Sequence, residues 1–303
     1  AAPFDTIYLP AGSYVLSSGL GQLNVSKTIT LIGQGANAAS TIIDGNNAVR
    51  LFNISSGTVT FNNLTLQNGQ PASGNGGAIL TSGSASITLD NAIVRNSETA
   101  GNGGGIFLAG GTLAILNGSE VSGNTAASSG GGVYSNNGTV NLTDSTVSDN
   151  IAQLGGGLTL NLSPAQLTIN NGQILRNVAL MTDSFTGGGI NIASGSAIMN
   201  SGLISGNTAF RGGGALINSG SFTMNGGTVT DNESNYGGGF YVRNPSGLLT
   251  LNDGAITGNR SVATIFGGGA LYVFQGQAVQ NGGEISNNTA VYLGGAMEVR
   301  QGG

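Results

Sequence analysis

An all-β fold is predicted, a single right-handed parallel β-helix with three short strands in each coil of about 27 residues. Three columns of residues predict it. A Gly-Gly-(Ala/Gly)-aliphatic unit recurs nine times, with its large apolar residue at Ile79, Ile106, Val133, Leu158, Ile190, Leu216, Phe240, Leu271 and Met297. An aliphatic-x-x-Asn unit ends at Asn96, Asn124, Asn150, Asn177, Asn207, Asn232, Asn259 and Asn288. Short polar residues precede that asparagine by six or seven positions, at Asp90, Asn117, Asp144, Asn170, Asn200, Asn225, Asn252 and Asn281. Columns that hold their phase over so many turns mark a solenoid, in which each unit buries its inner face only against its neighbours.

Residues 1–70 lack the Gly-Gly unit but alternate in the same manner, as in Thr6-Ile7-Tyr8-Leu9 and Lys27-Thr28-Ile29-Thr30-Leu31, and are read as the opening coils. Residues 71–303 carry the repeats, and no linker or second domain separates the two parts. In each repeat the first strand follows the glycines, as in Ile106-Phe107-Leu108. The second alternates apolar and polar residues, as in Leu167-Thr168-Ile169. The third is the stub that carries the asparagine. Period-two alternation over a few residues is a strand signal, and no stretch shows a helical period. Coils stacked about 4.8 Å apart give a rod roughly 50 Å long.

The asparagines are expected to form a structural ladder, because a side-chain amide can bond to its copy one coil away and to turn backbone. Glycine serves where the chain turns a corner in a left-handed conformation. From the ladder asparagine to the next first strand the length varies between 8 residues (Asn150 to Leu158) and 13 (Asn177 to Ile190). Insertions therefore gather on one edge, where solenoids place binding loops. That edge carries Phe185, Phe210, Tyr236, Phe266 and Tyr292, a candidate partner-contact surface. The alternative is that these side chains fold back over the corner and stack on one another. Outward positions of the first strand supply a second aromatic column, Phe107, Tyr134, Tyr241 and Tyr272, suited to sugar rings or to another protein. No capping segment is recognisable at either end. Ile7, Tyr8 and Tyr14 at one end, with Met297 and Val299 at the other, are the candidate assembly ends. Unlike ends that stack on one another build an open filament.

Charged residues are 7% of the chain and sum to −5, with no cluster of Lys or Arg, which argues against a nucleic-acid partner. Cysteine and histidine are absent, which removes disulfides, thiolate chemistry and the commonest general base. No apolar run approaches the roughly 18 residues of a membrane helix, so no membrane insertion is expected. Ala1-Ala2-Pro3 reads as a mature terminus left by signal-peptide removal. The 13 acidic residues are scattered. Asp144 and Asp149 fall on different edges of one coil, and alternation splays Asp231 from Glu233. Asp90 and Asp144 sit two coils apart, roughly 10 Å. No pair of carboxylates has a base beside it, so no catalytic residue, cofactor or metal site is assigned and no enzymatic activity is expected.

Across essentially its whole length the sequence resembles the pectin-lyase-like right-handed β-helices, through "TIYLPAGSY" and "KTITLIGQG" in the opening coils. The remainder is similar to polymorphic outer-membrane-protein repeats, whose marks are Gly-Gly-Ala-Ile and Phe-x-x-Asn. Gly76-Gly77-Ala78-Ile79 matches the first mark, and Val121-Ser122-Gly123-Asn124 matches the second with Val in place of Phe. The resemblance implies a secreted, cell-surface protein and transfers no catalytic residue to any position. The expectation is a structural or adhesive extracellular solenoid that self-associates head to tail. Surface glycans or proteins are the other partners considered.

Overall fold

Strands of three to five residues turn every second side chain inward, and parallel pairing of coil upon coil stacks those side chains into columns. The structure, a computed structural model describing residues 5–182 and 186–300, is a parallel β-solenoid of about 11 turns, roughly 27 residues each. Three parallel sheets of eleven strands run its length. Sheet A extends from Asp5–Leu9 to Gln277–Gln280, sheet B from Gly12–Val15 to Glu284–Ser286, and sheet C from Leu23–Val25 to Met297–Arg300. The one helical segment among the described residues is a 3-10 turn at Ala38–Ser40, and no helix there is long and apolar enough to cross a membrane.

Four sheets, not three, enclose most of the core. A fourth, sheet D, has eight parallel strands from Glu98–Thr99 to Thr289–Ala290 and follows directly on the asparagine column. Its inward residues are all small: Thr99, Ala126, Ala152, Ala179, Ala209, Ser234 and Ser261, each buried. Strands this short, with Ala or Ser on the inner face, leave no hydrophobic period in the sequence, so this segment reads as a variable loop.

The sheet C column also differs from expectation at one coil. Ile190 pairs with Ala215, and Ala215 with Phe240, so Ala215 occupies the inward position and Leu216 points outward. Ala215 directly follows glycines 212–214, as Ile106 follows glycines 103–105, and the packing suits a small residue there. The coil with Ala197 and Ala215 is small inside, and the next coil places Phe222 and Phe240 edge to face, 5.0 Å apart, over it. A Leu in the inward place would compete with those rings for the same volume.

The asparagine row is a continuous ladder that runs from Asn124 through Asn150, Asn177, Asn207, Asn232 and Asn259, all buried, to the partly exposed Asn288. The Asn124 Nδ2 donates to Asn150 Oδ1 (3.0 Å), Asn150 to Asn177, and so on to Asn259 on Asn288 (3.0 Å). Each Oδ1 also accepts from the backbone N–H of the preceding asparagine, as between Asn177 and Asn207 at 2.9 Å. The second amide hydrogen reaches a carbonyl of the preceding coil, Ile174 for Asn207. Asn96 stands one position out of this row. It is exposed with φ of 52°, and the buried place belongs to Ser97, whose N–H donates to Asn124 Oδ1. The left-handed place before the ladder recurs at Asp149, Arg176 and Asp231. Farther round the coil, the polar column forms a second, exposed ladder from Asn281 through Asn252, Asn225 and Asn200 to Asn170.

The glycine triplets answer to the same geometry. A Cβ on the second glycine would strike the next coil's backbone, 2.3 Å from the Gly131 oxygen at Gly104. On the third it would strike the ladder amide, 2.9 Å from Asn150 Nδ2 at Gly132. In the opening coils buried Arg50 ties three turns together, donating to the Asn75 and Gly76 carbonyls and to Gln22 Oε1.

Two paired substitutions test this register. Ile190→Asp, at a fully buried position, is expected to cost more than about 4 kcal/mol, while Ser205→Asp on the outer face of sheet B is nearly silent. Equal thermal melts would refute the inward and outward assignment. Asn207→Leu strands the Asn177 donors in a dry row and should cost about 3 kcal/mol, against little for exposed Asn225→Leu. A loss below about 1 kcal/mol in urea unfolding would mean the ladder contributes no more than exposed bonds do.

Candidate functional site

The two aromatic stripes read separately in the sequence meet in space. Each glycine triplet brings the chain leaving sheet D back across the outer face of sheet C, so loop residues land on the outward column of the strand. There Leu216, Tyr241 and Tyr272 form a second hydrophobic cluster, with Tyr236, Phe266 and Phe274 packed on it. Tyr241 and Tyr272 are consecutive in the ladder and their rings stack at 5.2 Å and 14°. Tyr236 leans on Tyr272 at 5.6 Å, and Phe210 meets Tyr236 edge to face at 5.5 Å. The fold-back alternative thus describes Phe210, Tyr236 and Phe266, although all three keep part of their surface open. Tyr292 is half exposed on its own loop, and Phe185 lies outside the described residues. Farther up the column Phe107 and Tyr134 stack at 5.2 Å as a separate pair.

Folding back leaves a cleft of ≈ 320 Å³ lined by Arg211, Tyr236, Tyr241, Phe266, Tyr272 and Phe274. Its floor is the buried Tyr241 and Tyr272 pair, and its walls are the half-open rings. Arg211 stands at the rim with its guanidinium 4.9 Å from the Phe210 centroid and 5.7 Å from that of Tyr236. Downstream, the Arg300 guanidinium covers the Phe266 ring at 3.5 Å. Buried Glu298 holds Arg300 through its Nε at 2.5 Å and accepts from the Gly267 N–H at 2.6 Å. Burial pushes the Tyr272 phenol up to about 12, helped by Tyr241 and Glu298, and burial raises Tyr241 as well. Both hydroxyls therefore stay protonated near neutrality, as donors on an aromatic floor. Walls of this kind with a few fixed polar groups are the usual make-up of small-ligand sites.

The acidic residues take other roles. Asp90 accepts from Asn62 and Asn117, and Asp144 from Asn171. Asp149 holds Arg176 bidentately at 2.8 and 2.7 Å, and that hydrogen bonding keeps its carboxyl below the usual range. Glu233 pairs with Arg260 at 3.1 Å. No three metal-binding side chains gather among the described residues. Of the candidate ends, Ile7 and Tyr14 stand in register with the buried Leu31 and Ile43, and Met297 and Val299 with Leu271 and Val273. Tyr8 alternates to the outer face beside Ile32. Leu216, Phe274 and the arginines at the cleft escaped sequence reading. Leu216 imitates the inward column, and the arginines are scattered singly along the chain.

Comparison with protein families, with curated proteins and with solved structures returns no match to this chain.

Replacing Tyr272 with Phe tests the electrostatics of the cleft floor. A phenol raised in the folded state favours the folded chain below its unfolded value, and that advantage is lost as pH rises from 10.0 to about 12. The wild-type melting temperature should fall through this window more steeply than that of Tyr272→Phe. Identical alkaline profiles would show that Tyr272 is freely solvated.

Proposed function

We propose that this chain is a secreted or cell-surface structural and adhesive solenoid without catalytic activity, whose copies associate head to tail. The observation that carries the reading is the amide row, buried as far as Asn259, that runs unbroken from Asn124 to Asn288 beside three continuous parallel sheets. A shaft so constrained is a rigid rod that holds lateral features at fixed spacing. The Gly-Gly-Ala-Ile and aliphatic-x-x-Asn motifs, similar to polymorphic outer-membrane-protein repeats on a pectin-lyase-like helix, support the cell-surface setting. Head-to-tail association is supported by the in-register inward positions of Ile7 and Tyr14 and of Met297 and Val299. These positions carry the inward columns toward a further coil, and a second copy is the occupant proposed for it. Low surface charge leaves little repulsion to oppose the approach.

A second reading, a glycan- or protein-binding adhesin that does not polymerise, is favoured by the aromatic cleft. Electron microscopy and light scattering at rising concentration separate the two. Head-to-tail association gives filaments that Met297→Lys with Val299→Lys shortens while the melting curve of the shaft is kept. A monodisperse monomer at high concentration removes the polymer and leaves the adhesin. Turnover of acidic or neutral polysaccharides that disappears in a single Asp→Asn variant would overturn the non-catalytic reading.

A further inference from the structure

An asparagine followed by a glycine carries an electrophile and a nucleophile side by side. The glycine amide nitrogen can attack the asparagine Cγ and close a five-membered imide, and a glycine, having no Cβ, leaves that approach open. Eight such pairs occur in the chain, beginning at Asn68, Asn75, Asn102, Asn117, Asn137, Asn171, Asn225 and Asn281. A folded chain decides which of them react. The glycine N–H must be unengaged, and the asparagine side chain must leave its partners at little cost.

Six pairs are closed by the fold. The N–H of Gly69 donates to Ser97 Oγ at 3.0 Å and that of Gly138 to Ser135 Oγ at 3.1 Å. Gly76 donates to the Asn102 carbonyl (2.9 Å), Gly103 to that of Ser129 (2.9 Å) and Gly118 to that of Asp144 (2.8 Å). Gly172 is buried in its strand, and Asp144 holds the Asn171 amide before it at 2.7 Å. The two remaining pairs lie on the exposed ladder beside sheet A. Gly226 N–H has no hydrogen-bond partner among the described residues, and Gly282 N–H reaches the Leu251 carbonyl at 3.3 Å, longer than an ordinary bond. Asn225 is exposed, and water readily replaces its two ladder bonds, to Asn200 and from Asn252, each 2.9 Å. Exposed Asn281 ends the ladder and donates to Asn252 at 2.8 Å.

We propose that Asn225 and Asn281 are sites of self-modification, at which the side-chain amide converts to a carboxylate while the fold preserves the other six pairs. The glycine nitrogen bonds to Cγ and yields its proton to solvent, the Cγ–Nδ2 bond breaks, and ammonia leaves. Water then opens the imide at either carbonyl, giving aspartate or isoaspartate, so water is the sole co-reactant. Each conversion adds one negative charge, and both together take the net charge from −5 to −7. The product has lost its donor, so the Asn200 Oδ1 faces an acceptor and the exposed ladder is cut there. No asparagine of the inner row, from Asn124 to Asn288, precedes a glycine. Charge therefore accumulates with age on one face while the amide row of the shaft persists.

The test holds the intact chain for several weeks at mildly alkaline pH, beside a sample kept in urea and shown by circular dichroism to be unfolded. Both are digested, the eight sites are read by mass spectrometry, and isoaspartate is labelled with an isoaspartyl methyltransferase. In the folded chain positions 225 and 281 should convert at least about tenfold faster than any of the other six, because the fold protects those amides from opening. Unfolding should erase that preference. Asn281→Gln keeps an amide but cannot close the five-membered ring, so it should abolish conversion at 281 and leave 225 reacting. Absence of conversion at 225 or 281 in the folded chain, equal or faster conversion at one of the six protected pairs, or a preference that persists in the unfolded sample overturns the proposal.

Discussion

A buried primary amide must satisfy two donors and an acceptor without water, and in this molecule each ladder asparagine does so mainly through its neighbours one coil above and below. That requirement fixes much else. The Asn207 Oδ1 can receive both the N–H and the Nδ2 of Asn177 only if the two coils are stacked in register. A left-handed residue then has to precede the asparagine, as at Arg176 and Asp231, to turn its side chain inward from the end of sheet B. Opposite the amide the backbone passes so closely that a Cβ on Gly132 would lie 2.9 Å from the ladder amide nitrogen, and no side chain larger than the methyl of Ala78 or Ala270 stands in that third place. The two motifs that dominate the sequence, a double glycine and an asparagine some 20 residues away, are thus the two sides of one contact. Because each amide is worth more in the row than alone, the ladder also discourages coils of the wrong length, which would strand donors in the dry interior.

The columns were legible in the sequence because they are made of residues with no common substitute. Glycine at a left-handed or sterically closed position and asparagine at a buried amide position recur where other residues would fail. What escaped was everything decided by volume or by context. Leu216 lies one residue beyond the place that Ile106 and Phe240 hold, and Ala215, which directly follows its glycine triplet as they do, enters the core beside Phe222 and Phe240. Asn96 has the right neighbours but lies one residue early, and Ser97 does its work with a shorter side chain. Sheet D was invisible because a two-residue strand with Ala179 or Ser261 inside carries no hydrophobic rhythm. Period-two reasoning detects strands that bury large side chains, and a corner lined with methyl and hydroxyl groups falls below its threshold.

The cleft illustrates a different limit. Phe210, Tyr236 and Phe266 belong to loops, whereas Tyr241 and Tyr272 belong to a strand, and in sequence the two groups look like independent features. They converge because the triplet that closes each coil folds the loop over the strand it precedes. That fold-back distance is set by glycine geometry, which the sequence announces, but its product depends on which side chains happen to be facing. Thr159 and Asn191 occupy the same outward column as Tyr241 and Tyr272 and supply no ring.

Core and surface are consequently separable in this architecture. Inward positions and the amide row answer to the stack as a whole, so any change there is felt by adjoining coils. The outward column and the D-to-C loop answer to almost nothing beyond one or two neighbours, since loop length adds little to the cost of closing a coil. A solenoid can therefore vary the chemistry of that single edge coil by coil without disturbing its shaft. Concentrating Arg211, Arg243 and Arg300 with six aromatic rings on one stretch of an otherwise acidic, weakly charged rod has no counterpart in the needs of the core, which is satisfied by Ala215, Ile217 and Val242 beneath them. Such a concentration is a property of the outward edge and not of the stack beneath it.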